Sequence, residues 1–358
     1  MWNEPAAIAA VLAGCPLHIS GPVDAYVIRA NNHRQIALSS DHISANQAFP
    51  GEDVRSLVRR GVVEAASDLA AVGADFHGVQ IDLRAPADFD ELDFTAVGQG
   101  VNDALEVMGG QLLQASNISH GEFGVSNTVV GFLDSYQPMS RRSARAEDVV
   151  LISGPTGGWN SALALLNSSS KAALSLNEWS MVRDDFVDYW PEIRLGRALA
   201  SSGLVNGCTD MSDALDRCLR DLIAPLGLDA DIDEAAVPLS DSAEFVAFKL
   251  GLDAIELSIM GLAGDNRLVI TTAPSLVELL QRTAESVGRR LYAIGSLREG
   301  SGVVRYRHLP SQSRDDDVRR AEIYAPTFEA PIALRPQRFR SGGRVFKQTV
   351  HPGEAAID

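Results

Sequence analysis

Residues 61–75, Gly61-Val62-Val63-Glu64-Ala65-Ala66-Ser67-Asp68-Leu69-Ala70-Ala71-Val72-Gly73-Ala74-Asp75, confine what this chain can fold into more than any other stretch. They set a carboxylate, Asp68, in a helix built of small and apolar residues. Val54, Leu57, Val58, Val62, Ala65, Leu69 and Val72 recur at helical spacing, so the segment reads as a core-facing helix with Gly73 as its left-handed stop. Asp68 lies one turn from Glu64 and two from Gly61, at the edge of that stripe. A carboxylate buried there needs a cation, a metal or backbone donors; otherwise the position is a solvated turn residue.

The chain has 358 residues, too many for one ordinary core and enough for two domains of about 150 residues each. Its formal charge of −16 argues against binding nucleic acid, because phosphate backbones are held by basic surfaces. An anionic substrate would need metal ions as intermediaries. Cys15, Cys208 and Cys218 have no CxxC spacing, so neither a disulfide framework nor a zinc site is expected, and they suit a reducing cytoplasm. No apolar run reaches the length of about 20 residues that spans a membrane, and the short N-terminal apolar run lacks the preceding basic residues of a signal peptide.

Along the first 145 residues the pattern is β-β-α-β-α-β. Residues 25–30 and 34–39 read as strands joined by Asn31-Asn32-His33, and the Asp68 helix leads to an alternating strand at 77–84. A helix over 93–108, then Gly109-Gly110 and a strand at 123–133, complete an α/β arrangement with a mixed sheet. The polar, basic stretch Ser140 to Ala146 reads as a linker, with a boundary near residue 145. A strand at 148–154 then runs through Gly154-Pro155-Thr156-Gly157-Gly158 into a helix at 159–166. Such a turn can present N–H groups to phosphate, but it carries neither a Gly-Lys-Ser/Thr nor a GxGxxG pattern, so a tight strand-to-helix connection is the simpler reading. Asp210-Met211-Ser212-Asp213 precedes a helix with Leu215, Cys218, Leu219, Leu222 and Ile223 on one face. Ser212 or Asp213 reads either as its N-cap or, with Asp210, as part of a cation ligand set. Gly264-Asp265-Asn266 alone reads as a turn.

Read in order, Val23-Asp24, Ser39-Ser40-Asp41, Phe49-Pro50-Gly51-Glu52-Asp53, Ser67-Asp68-Leu69-Ala70-Ala71-Val72-Gly73-Ala74, Gly109-Gly110, Asp210-Met211-Ser212-Asp213 and Gly264-Asp265 resemble the motif series of the aminoimidazole-ribonucleotide synthetase superfamily, which includes thiamine-monophosphate kinase and selenophosphate synthetase. The resemblance covers roughly residues 18 to 300. It implies an α/β (α+β) fold of two domains: residues 1–145, a mixed-sheet domain that binds ATP and metal and pairs with its twin in a homodimer to build a β-barrel, and residues 146–304, an α/β sandwich. It further implies ATP and Mg2+ as cofactors, with Asp24, Asp41, Asp68, Asp210 and Asp213 as metal ligands and Gly109, Gly110 and Gln111 joining Asp24, Asp41 and Asp68 around the nucleotide. Asp210, Ser212 and Asp213 would then serve transfer of a phosphoryl group to a small, anionic acceptor. Positioning and charge neutralisation suffice for that chemistry, which needs no nucleophilic side chain.

Several positions depart from the family. Val23 stands where an acid pair is common, Gln111 where an acid or other polar ligand follows Gly-Gly, Ala263-Gly264-Asp265 where Gly-Glu-Asp is usual, and Ala214 where a glycine is usual. Fewer carboxylates hold fewer or looser metals. The hydrogenase-maturation dehydratase of the same superfamily uses a C-terminal cysteine, whereas the last cysteine here is Cys218; selenophosphate synthetase uses an N-terminal cysteine with a nearby lysine, whereas the first lysine here is Lys171. The pattern then stands nearest a kinase resembling thiamine-monophosphate kinase; an ATP-dependent cyclase or dehydratase and a non-catalytic nucleotide-binding dimer are the alternatives. Residues 305–358 hold ten Lys and Arg against seven Asp and Glu, with five prolines, and read as a basic extension that either lies on the acidic body or reaches substrate.

Overall fold

The computed structural model describes residues 24–30, 34–134, 136–168, 174–261 and 264–307. Val23, Cys15, the turn at 31–33, Ala263 and most of the basic extension lie outside these residues.

The first sheet is five-stranded and mixed, ordered β1-β2-β5-β3-β4. Strands β1 (Tyr26–Arg29) and β2 (Gln35–Ser44) pair antiparallel, with Tyr26 opposite Leu38. Strand β3 (Asp75–Ala85) lies antiparallel to β5 (Gly124–Leu133) and parallel to β4 (Gln111–His120). β4 is absent from the sequence reading. Its residues run Gln-Leu-Leu-Gln-Ala-Ser-Asn-Ile-Ser-His without alternation, because an exposed edge strand has no buried face to enforce it. Among the described residues the sheet is open, with β1 and β4 at its edges, so no closed barrel forms within one chain.

Helix α1 (Val54–Val72) begins at Asp53, whose carboxylate accepts the Ser56 N–H at 2.8 Å, and ends at Gly73 with φ +81°. The sequence suggests one apolar stripe, yet 15 of its 19 residues are buried. The helix is enclosed on several sides: β2 and β5 lie below it, α2 (Glu91–Met108) beside it, and α5 (Ile193–Ser202) and β7 (Gly207–Asp210) of the second half against it. Small side chains allow this. A Cβ on Gly61 would stand 2.5 Å from Ile43 and 2.8 Å from Asn127, so only glycine lets the helix lie this close to the sheet.

The second sheet is six-stranded and mixed, ordered β11-β8-β10-β6-β9-β7. β6 (Val149–Ile152) and β9 (Leu268–Thr272) form its centre with β10 (Tyr292–Glu299); β8 (Leu228–Ile232) and β11 (Val304–Tyr306) complete one side. β11 carries sheet structure two residues past 304, into what the sequence assigns to the extension. Around the sheet pack α3 (Gly158–Asn167), α4 (Leu176–Val187), α6 (Leu215–Ile223), α7 (Asp241–Leu250), α8 (Ala254–Ile259) and α9 (Val277–Ser286). One apolar cluster joins α1 to Leu195, Leu199, Cys208 and Leu268, so the two sheets share a core along α1.

Candidate active site

Three carboxylates from separate motifs converge at the junction of the two sheets. Asp24 precedes β1, Asp68 lies on α1 and Asp210 ends β7, and each offers an oxygen within 4.8 Å of the others. β2 and α1 set this geometry together. Ser39 and Asp41, two apart on the strand, face Asp68 and Glu64, four apart on the helix, so the periods of strand and helix match across the contact. The Ser39 hydroxyl donates to Asp68, and the Ser67 hydroxyl donates to Asp210 at 2.8 Å.

The electrostatics follow from crowding. Burial and the facing Asp210 hold Asp68 well above the usual carboxylate range, while Ser39 pulls it down. Asp210 is pushed up to about 7, first by burial and then by Asp24, against the Ser67 hydroxyl and Arg141. Like charges this close cannot all ionise without a cation. Arg141 supplies one: its Nη2 and Nε fork onto both oxygens of Asp24, and the Thr209 hydroxyl donates to Asp24 Oδ1 at 2.8 Å. Three acids facing one arginine remain acid-rich, and this hard oxygen set fits Mg2+ or Mn2+.

A cavity of about 470 Å3 opens beside the cluster. Asp41, Asp68, Asp210 and Ser212 line its acidic side, and Trp159, Leu163 and Phe186 its apolar side. Arg60 and Glu64 also belong to the lining: the Arg60 guanidinium, with 1% of its side chain exposed, pairs with Glu52 and Glu64 and lies over the Trp159 and Phe186 rings. Glu64 also accepts the Tyr189 hydroxyl at 2.6 Å.

The remaining sequence candidates separate from this group. Asp41 is exposed and shares the cavity but stands outside the close set of three. Asp213 is half-buried; it stands outside the set and outside the described cavity lining, acting instead on Arg217 and the Cys218 thiol beside α6. Neither Ser212 nor Asp213 caps α6, which starts after Ala214 with no side-chain cap. Gly109, Gly110 and Gln111 do not line the cavity: they lead from α2 into β4, where Gln111 pairs with Gly78. The residue after Gly-Gly is thus committed to an edge strand.

Other parts take roles that motif reading does not give. Arg141, assigned to a linker, belongs to the acid cluster, and the only hint is its position among basic residues in a strongly acidic chain. Asp265 is buried and accepts the N–H groups of Gly157 at 2.7 Å and Trp159 at 3.0 Å. Its carboxylate fills the anion position at the start of α3, so the glycine-rich turn is the tight connection rather than an open phosphate cradle.

The domain described as "AIR synthase related protein, N-terminal domain" matches residues 22–133. A thiamine-monophosphate kinase from Methanopyrus kandleri is 27% identical over 252 residues, which are 70% of this chain and 74% of that protein. One from Escherichia coli K12 is 26% identical over 220 residues, 61% of this chain and 66% of that protein, or just under two-thirds of its length. Among solved structures, one described as "AaThiL complexed with AMPPCP and TMP" superposes with a TM-score of 0.75 at 20% identity, covering 87% of this chain and 95% of that one. That likeness is one of fold. Residues 22–133 thus match the AIR synthase-related N-terminal domain, and the chain is similar in sequence to thiamine-monophosphate kinases and in fold to the structure that carries AMPPCP and TMP.

Proposed function

We propose that this protein is a magnesium-dependent, ATP-using kinase for a small anionic molecule, of the thiamine-monophosphate kinase type. The observation that carries the proposal is the convergence of Asp24, Asp68 and Asp210 beside a cavity with one acidic and one aromatic side. The nucleotide named with the structural relative, AMPPCP, is an ATP analogue, and the kinase relatives are ATP-using enzymes.

In this reading Asp24, Asp68 and Asp210 hold Mg2+, with Asp41 at the cavity rim as a further acid. The bound cation would shield phosphate charge from the carboxylates and neutralise charge developing on the transferred group. Ser39 and Ser67 fix the carboxylates that they donate to, so the acids keep one geometry as ligands arrive. Trp159, Leu163 and Phe186 exclude water from the apolar side of the cavity. Ser212, exposed at the cavity wall, orients the acceptor or the phosphate.

The assembly belongs to the same reading. Tyr26, Ile28, Leu38 and Phe132 lie on the sheet face turned away from α1, Tyr26 and Ile28 are 39% and 41% exposed, and Leu112, Leu113 and Ile118 are exposed on the β4 edge. A homodimer that joins two such sheets into a barrel covers them, with residues 1–145 as the dimerising domain and 146–304 as its companion. No described helix is long and apolar enough to cross a membrane.

Product analysis tests the chemistry. Incubation with MgATP and thiamine monophosphate should yield ADP and an acceptor carrying one more phosphate. ADP with free phosphate would move the assignment to a synthetase-type reaction, and the absence of both nucleotide binding and turnover would sink the enzyme reading.

A further inference from the structure

The geometry points to Arg141 as a resident counter-ion that holds Asp24 until a phosphate-bearing ligand draws it away, coupling divalent-cation binding to anion binding through one guanidinium. This rests on reading the acid cluster as a divalent-metal site.

Lone-pair bookkeeping shows why. Each carboxylate oxygen offers two acceptor positions. Asp24 Oδ1 receives both Arg141 Nη2 and the Thr209 hydroxyl, and Oδ2 receives Arg141 Nε at 3.3 Å. While the fork is in place, Asp24 has one position left for a metal. A cation entering there would also face a guanidinium whose charge repels it. In the absence of a ligand the fork stays, because the Asp24 side chain is only 2% exposed and a buried carboxylate without a partner is costly.

Arg141 itself is placed to move. Its side chain is 21% exposed, and a guanidinium fork matches phosphate as well as it matches carboxylate. A phosphate that takes the fork frees Asp24 for the metal. By linkage, the metal must then strengthen phosphate binding by the same factor. Arg141 is thus a positioning residue: it acts on the metal through Asp24.

Manganese binding to the full chain, read as free Mn2+ by electron paramagnetic resonance with and without inorganic phosphate and corrected against protein-free samples, tests this. Arg141→Gln should bind Mn2+ about 10-fold more tightly than wild type without phosphate. Phosphate should tighten Mn2+ binding to wild type about 5-fold or more and to Arg141→Gln by less than about twofold. Arg141→Lys, which keeps the charge but releases one Asp24 oxygen, should fall between the two and decides the matter if the glutamine variant does not fold. Mn2+ binding that is unchanged in the variants, or an equal phosphate effect in all three proteins, overturns the inference alone. Failure of all three to bind Mn2+ overturns it together with the metal site.

Discussion

Glu64 and Asp68 are one turn apart on α1, both enclosed between the same sheet and the same second half, yet their surroundings are opposite. Glu64 and Glu52 share Arg60, and Tyr189 donates to Glu64, so each buried acid has a cation and the fork is filled. Burial raises the Glu64 carboxyl while Arg60 and Tyr189 pull it down, and burial lowers Arg60 but the charges of Glu64 and Glu52 more than offset it and hold the guanidinium above its ordinary range. Asp68 has a serine for a donor and two more aspartates for neighbours, with the Arg141 guanidinium paired to Asp24. The first group is neutralised from within and serves the fold. The second is left short of positive charge, the condition under which a site recruits a cation.

Removing the internal cation should expose that difference most sharply. Arg60→Met leaves Glu52 and Glu64 buried without a counter-ion and is expected to cost about 3–5 kcal/mol of stability, read by denaturant unfolding. Adding Glu52→Gln and Glu64→Gln should restore much of the loss, because the neutral amides need no cation. If Arg60→Met alone unfolds no more easily than wild type, the network is not a stabilising one and the contrast with Asp68 collapses.

The acid cluster should respond with the reverse sign. Without metal, Asp210 keeps its proton up to about pH 7 in the fold, whereas the unfolded chain releases it near the ordinary aspartate value of 3.8. The folded state therefore binds this proton more tightly, and stability declines as pH rises from about 4 towards 7. Asp210→Asn removes that decline. In chelator at pH 7.5 it should melt roughly 5 °C above wild type, a difference that shrinks at pH 5. The same change should weaken Mn2+ binding by about 100-fold, at the upper end of what a lost supporting group does. A variant that melts lower at pH 7.5 and still binds Mn2+ would place Asp210 with Glu64 as a structural acid.

How far the sequence discloses this contrast depends on what kind of interaction is involved. Helix α1, its Gly73 stop and the strands with a buried face are legible because burial imposes a period. β4 is not, because an exposed edge imposes none. Asp24, Asp68 and Asp210 lie in recognisable local motifs, so their convergence is expected from resemblance before any contact is seen. Arg141 and Arg60 are different, since each takes its meaning from partners brought up by the fold, and Asp265, although part of the recognised Gly264-Asp265 pair, shows its role only through Gly157 and Trp159, over a hundred residues away. Nothing in the local sequence marks Arg60, around which Glu52, Trp159 and Phe186 close in the fold. Ser67 is the intermediate case, since it belongs to a recognisable motif while its acceptor, Asp210, lies on another sheet.

That serine gives the smallest and most discriminating comparison. Its hydroxyl holds Asp210 down towards the charged form, the form a metal needs, so Ser67→Ala should raise the Asp210 carboxyl further. The expected cost to Mn2+ affinity at pH 7 is about 5-fold, near the 1 kcal/mol of one hydrogen bond, and it should shrink at pH 8.5, where the carboxyl is ionised in either protein. Tyr189→Phe deletes a hydroxyl of like burial from the neutralised group and should leave Mn2+ binding unchanged at both pH values. An equal loss from the two variants would mean that Glu64 and Asp210 belong to one electrostatic network, with Arg60 shared across the whole wall of the cavity.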